Sequence, residues 1–157
     1  MKIALDTSYF LFGFGIAPEG LPQTCLDTLV KSSTKIILSD LVIFELNAKA
    51  SKLLKNCNNF DFKTSILLND QTYEIINSSK VKIWNIACFL RKYHKDYVDC
   101  VHLATAIEQG VDYFVTEDGA LRRLSTDGEF INSLKKFIDQ KIPTIINFES
   151  FSKVSKN

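Results

Sequence analysis

Tyr97-Val98-Asp99-Cys100-Val101-His102-Leu103-Ala104-Thr105-Ala106-Ile107-Glu108-Gln109-Gly110-Val111-Asp112-Tyr113-Phe114-Val115-Thr116-Glu117-Asp118 is the stretch whose reading decides the fold. Its first part reads as a helix, with Asp96 as a cap and Gly110 as the stop just past Gln109. Asp112–Thr116 then reads as a short strand, and Asp118 follows directly. A helix running into a strand with no polar alternation is the repeating unit of a parallel sheet covered on both faces.

The same unit recurs outward from there. Lys2–Leu5, Lys35–Leu38 and Ile142–Phe148 are further apolar strand runs, and Val81–Trp84 reads as another. Helices are predicted over Leu21–Lys31, over Leu41 to about Leu54 behind a Ser39 or Asp40 cap, from an Asn85 cap to about Tyr93, and over Glu129–Gln140. Phe60–Ile76 carries apolar residues at helical spacing and reads as one or two helices, while Phe10–Ile16 fits no single element. Lys55–Asn59 and Asn77–Lys80 read as connections. The expected architecture is an α/β three-layer α/β/α sandwich with a mainly parallel central sheet of four or five strands. One domain over residues 1–150 and a tail over 151–157 account for the chain. Sheets of this kind bind ligands beyond the carboxyl ends of their strands.

Composition fits a packed domain rather than a disordered chain: 46% of the 157 residues are hydrophobic and 24% charged. The net charge of +1 supplies no overall field for a polyanion, so phosphate contacts would have to come from local groups. Arg91, Lys92 and Lys95 form one such group, and Arg122, Arg123, Lys135 and Lys136 another; both also fit a solvated helix face. The four cysteines form no C-x-x-C pair, and His94, Cys100 and His102 lack a zinc-site spacing. Cys88 and Cys100 lie in apolar helical patterns, as buried free thiols do. A reducing, cytoplasmic setting follows. The acid at position 6 comes too soon for a signal peptide, and no apolar run is long enough for a membrane span.

Four acids stand out by context. Asp6 follows the first strand and Asp118 follows the strand at Tyr113–Thr116, both at the ligand-binding edge. Glu45 interrupts Leu41-Val42-Ile43-Phe44, and Asp99 sits among Val98, Cys100 and Val101; an acid on an apolar helix face costs free energy unless it is paired. Each also has a plain structural use. Asp6 and Asp118 suit turn or cap positions, Asp96 and Asp99 suit the first turn of a helix, and Glu45 can reach Lys49.

Together these segments resemble the PIN-domain ribonucleases. Ile3-Ala4-Leu5-Asp6-Thr7-Ser8 is similar to the family's opening strand and first acid. Glu45 within Ser39-Asp40-Leu41-Val42-Ile43-Phe44-Glu45-Leu46 is similar to the second, Asp99 within Tyr97–Ala106 to the third, and Asp118 within Val115-Thr116-Glu117-Asp118 to the fourth. The resemblance spans Lys2 to about Asn147, and the size is similar to VapC-type toxins of VapBC toxin–antitoxin modules. Cys100 departs from the pattern, standing where small residues such as alanine are common.

The resemblance implies a metal-dependent endoribonuclease cutting single-stranded RNA. Asp6, Glu45, Asp99 and Asp118 would be its catalytic, metal-holding acids. Two carboxylates about 4 Å apart repel by about 4 kcal/mol at an effective dielectric near 20, so four in one pocket call for a cation. Oxygen ligands favour Mg2+ or Mn2+. Thr7, Ser8 and Thr116 would fix Asp6 and the scissile phosphate, with Asp96 an accessory ligand or a cap. Arg91, Lys92, Lys95, Arg122 and Arg123 would meet RNA phosphates. An antitoxin protein and a homodimer are the implied partners. Rival readings are a binding module that keeps the acids without cleaving, an aspartyl phosphatase and a DNA flap nuclease. Ser8 stands where the phosphatase needs a second Asp, and the flap nuclease normally takes a larger chain.

Overall fold

The computed structural model describes residues 1–14, 16, 18–53 and 71–155. Five strands form one all-parallel sheet: β1 (Lys2–Leu5), β2 (Lys35–Ser39), β3 (Tyr73–Ile76), β4 (Tyr113–Val115) and β5 (Thr144–Ile146). Their order is β3-β2-β1-β4-β5. The chain therefore builds outward from β1 in one direction, returns, and builds outward in the other. The crevice between the carboxyl ends of β1 and β4 is the point where strand order reverses, which is where such sheets bind ligands.

Alternation along the strands sends side chains to two separate cores. Ala4, Ile37, Phe114 and Ile145 face one core, which they share with α3 (Val81–Leu90), α4 (Tyr97–Glu108), α5 (Gly119–Leu124) and α6 (Gly128–Phe137). Ile3, Leu5, Ile36, Leu38 and Val115 face the other, against a 3-10 helix (Thr7–Phe14), α1 (Cys25–Lys31), α2 (Leu41–Leu53) and α7 (Phe148–Val154). These are the three layers expected, with the strands covered on both faces.

The decisive stretch folds as read. Asp96 caps α4 by accepting from the amides of Val98 (2.9 Å) and Asp99 (3.4 Å), and Gly110 ends it with φ +60°, a backbone conformation that glycine adopts without steric cost.

Several elements depart from the sequence reading. Val81–Trp84 opens helix α3 instead of forming a strand, and Asn85 lies inside that helix. The apolar positions Ile83, Ile86, Ala87 and Leu90 keep helical spacing through this segment, while Val81 is exposed. Tyr73–Ile76 is the edge strand β3 rather than helix, and Gln71 and Thr72 form a turn before it; residues 60–70 of the predicted helical segment, with Lys55–Asn59, lie outside the described residues. Of its four side chains only Ile76 is buried, so backbone pairing with β2, not an apolar pattern, makes it a strand. The side chains of Ser39 and Asp40 have other partners than the amides at the start of α2: Ser39 meets His102, and the Asp40 carboxylate accepts from the amide and hydroxyl of Ser78. Helix α1 begins at Cys25 because Pro18 and Pro22 carry turns before it. Cys88 is exposed, unlike the buried Cys25 and Cys100.

The segment read as a tail from Phe151 instead carries α7, capped by Asn147 through the amide of Ser150 (3.1 Å). Phe151 is fully buried and meets Tyr113 edge to face, with ring centroids 6.0 Å apart. Phe151→Ala is therefore expected to cost about 3–5 kcal/mol, as for other large-to-small changes at buried aromatics. Urea unfolding measures this, and a loss under about 1 kcal/mol would mean that α7 adds little to the core.

Candidate functional site

The carboxyl ends of β1 and β4 are tied together before any acid is considered. Leu5 pairs with Val115, and the Asp6 amide donates to the Val115 carbonyl at 3.0 Å. Beyond that pair stands Thr116, fully buried. Its hydroxyl donates to Asp6 Oδ2 (2.7 Å) and accepts from the Asp118 amide (3.0 Å), so one side chain fixes both strand-end acids. Asp118 also caps α5, its Oδ1 accepting from the Leu121 amide at 2.8 Å. Asp6 Oδ1 takes the Ser8 amide at 3.3 Å, opening the 3-10 helix. The Ser8 hydroxyl is buried and has no hydrogen-bond partner among the described residues.

Asp99 enters from the first turn of α4. Its Oδ2 lies 2.9 Å from His94 Nε2, and His94 is buried. Burial pushes the Asp99 carboxyl above its usual value, and the charges of Asp6 and Asp96 push the same way, while the His94 hydrogen bond opposes them. Burial and the neighbouring acids thus outweigh the contact with His94 at the Asp99 carboxyl. One ligating atom each from His94, Asp99 and Asp118 lie within 4.8 Å of one another. The cleft they line measures about 340 Å³ and includes Lys95, Asp96 and Ala120.

Glu45 belongs to a neighbouring arrangement. It projects from α2 toward Thr7, the residue after Asp6. Thr7 donates its hydroxyl to Glu45 Oε2, and His102 Nε2 lies 2.9 Å from the same oxygen. The Ser39 hydroxyl, at the end of β2, meets His102 Nδ1 at 2.7 Å, and Lys49 lies 3.5 Å from Glu45 Oε1. Burial raises the Glu45 pKa, but the hydrogen bonds from His102 and Thr7 and the charges of His102 and Lys49 outweigh it and hold the carboxyl at about 2.

Of the four acids singled out in the sequence, Asp99 and Asp118 come together directly. Asp6 is tied to Asp118 through Thr116, and its charge reaches Asp99. Glu45 falls outside the 4.8 Å group among the described residues. The Thr116 hydroxyl serves Asp6, whereas the Thr7 hydroxyl serves Glu45 and Ser8 reaches Asp6 through its amide. Asp96 acts as the α4 cap and lines the cleft. Both histidines were missed as partners of the acids. His94 stands five residues before Asp99, across a break between helices, where no spacing rule applies. His102 follows Asp99 by three residues and reads as one more residue of a buried helix face.

The basic residues are unequally placed. Lys95 lines the cleft. The guanidinium groups of Arg122 and Arg123 lie over Gly119, next to Asp118. Arg91 donates to the His94 carbonyl at 3.2 Å, and Lys92 lies 5.6 Å above the Phe89 ring.

Residues 3–126 match the PIN domain, and the chain belongs to that family. PIN domains are generally nucleases, and the acidic cluster is where a divalent metal would be sought. Among solved structures the chain is similar to one in VapBC2 from Rickettsia felis, solved bound to a DNA fragment from their promoter. The two are 21% identical, with 94% of this chain and 97% of that one covered and a TM-score of 0.57, which is a likeness of fold. No curated protein matches the chain.

Because folding lowers the Glu45 pKa from 4.5 to about 2, its ionised form favours the folded state. That stability is full above pH 4.5 and is lost as pH falls toward 2. The gap in unfolding free energy between the wild type and Glu45→Gln is expected to narrow over that window. Urea titrations from pH 6 down to about pH 2.5 measure it, and a gap that stays constant would show that Glu45 is not held ionised by folding.

Proposed function

We propose that the chain is a metal-dependent endoribonuclease acting on single-stranded RNA and that it serves as the toxin of a toxin–antitoxin pair. The observation that carries the nuclease reading is the convergence of Asp6, Asp99 and Asp118 at the reversal point of a PIN-family sheet, with the Asp99 pKa pushed up by burial and then by its acidic neighbours.

The donor set suits a divalent cation. Carboxylate oxygens on Asp99 and Asp118 lie close enough to share one ion, and the Ser8 hydroxyl beside Asp6 is buried with no hydrogen-bond partner among the described residues. Asp99 and Asp118 would hold the ion with Asp6, and oxygen donors favour Mg2+ or Mn2+. When bound, such an ion supplies charge neutralisation at the phosphate and a lowered pKa for the attacking water. The remaining work falls to this chain's own groups. Thr116 keeps Asp6 and Asp118 in register. Glu45, held ionised by Thr7 and His102, is available on the Asp6 side of the site to hold a second ion or orient the attacking water. Lys95, which lines the cleft, and Arg122 and Arg123, whose guanidiniums lie by Gly119, would meet RNA phosphates, as would Arg91 and Lys92.

The toxin role is supported by the family and by likeness of fold to a chain of a VapBC assembly. It brings with it an antitoxin that covers the acidic cleft, a homodimer and a cytoplasmic setting. No helix among the described residues is long and apolar enough to cross a membrane. Residues 1–150, together with the rest of the packed helix α7, are taken as the nuclease domain.

Asp6→Asn and Asp99→Asn are expected to lower RNA cleavage at least a hundredfold while leaving the circular dichroism spectrum unchanged. Gel assays of a single-stranded RNA with Mn2+ or with EDTA read this out. Cleavage that is equal in both conditions, or undiminished in either variant, contradicts the proposal. No cleavage under any condition, by a folded wild type that still binds RNA, favours a binding module.

A further inference from the structure

We infer that His94 is a direct ligand of the bound cation, making the centre a mixed imidazole–carboxylate site that prefers Mn2+ and the later first-row divalent metals over Mg2+. This rests on the metal-centre reading above and adds a residue to it. The 2.9 Å contact from His94 Nε2 to Asp99 Oδ2 has two uses. In the metal-free protein it is a hydrogen bond. It is also the separation of adjacent ligands around one ion, since two donors each about 2.1 Å from a metal and at right angles stand about 3 Å apart. A histidine that only oriented Asp99 would have no reason to approach Asp118, yet atoms of all three residues fall within 4.8 Å of one another.

The His94 side chain is also placed in advance. Its backbone amide donates to the Leu90 carbonyl (3.0 Å), and its own carbonyl accepts from Arg91 Nη1 (3.2 Å) and Cys100 Sγ (3.6 Å). These contacts fasten the short connection between α3 and α4 on both sides. The ring is nine-tenths buried, so loading a cation requires no new ordering of it. Magnesium takes oxygen donors and gives up water reluctantly, whereas imidazole suits iron, nickel and zinc, and Mn2+ accepts one nitrogen among oxygen donors more readily than Mg2+ does. One nitrogen among carboxylates therefore shifts the preference away from Mg2+.

The test uses the full chain loaded with Mn2+ and reads the metal itself by pulsed electron paramagnetic resonance. The inference expects nitrogen-14 coupling to Mn2+ in the wild type, kept in His102→Gln and lost in His94→Gln. It also expects calorimetric Mn2+ affinity to fall about tenfold or more in His94→Gln, with Mg2+ affinity falling less. Mn2+ bound without nitrogen coupling in the wild type overturns the inference, even if His94→Gln does not fold. Coupling that survives in folded His94→Gln also overturns it. Either result leaves the oxygen-ligated nuclease reading standing. A wild type that binds no Mn2+ at all sinks both.

Discussion

The pairing of β1 with β4 is the contact on which the site depends. It joins segments more than a hundred residues apart, and the Leu5–Val115 register sets Asp6 beside Thr116. A slip of one residue would turn Thr116 to the other face of the sheet and separate Asp6 from Asp118. Hydrophobic burial fixes that register, because Ile3, Leu5 and Val115 must face one core while Ala4 and Phe114 face the other. Apolar packing inside the sheet thus positions charge at its edge.

That placement works against stability. The acids gather where burial and mutual repulsion raise the cost of ionisation, most clearly at Asp99. The fold limits the cost with hydrogen bonds rather than with a large countercharge in the cleft. Thr116 serves Asp6, the Leu121 amide serves Asp118, and His94 serves Asp99. Glu45 is treated differently. With His102 and Lys49 around it, it is compensated internally. The site therefore divides into a compensated carboxylate and a group still short of positive charge. That imbalance is what a cation would relieve.

Much of this was legible in the sequence. Continuous apolar runs gave the parallel sheet, and Gly110 and Asp96 fixed both ends of α4. Asp6 and Asp118 were visible because strand ends are recognisable one segment at a time. Val81–Trp84 was misread because a four-residue window does not separate helix from strand, and the deciding positions, Ile86, Ala87 and Leu90, lie beyond it. Tyr73–Ile76 was misread because an edge strand with one buried side chain leaves no apolar alternation. The histidine partners were hidden for another reason. The contact between His102 and Glu45 joins residues far apart in the chain, and the contact between His94 and Asp99 crosses a helix break, so neither leaves a periodic signal.

The account comes down to whether the cleft gathers its acids around a cation. Anomalous diffraction from crystals grown with Mn2+ tests this most directly. A peak within about 2.3 Å of oxygens on Asp99 and Asp118, on the Asp6 side of the cleft, is the predicted result. Crystals that diffract well at saturating Mn2+ and show no peak there, or show one only on surface carboxylates elsewhere, would contradict it.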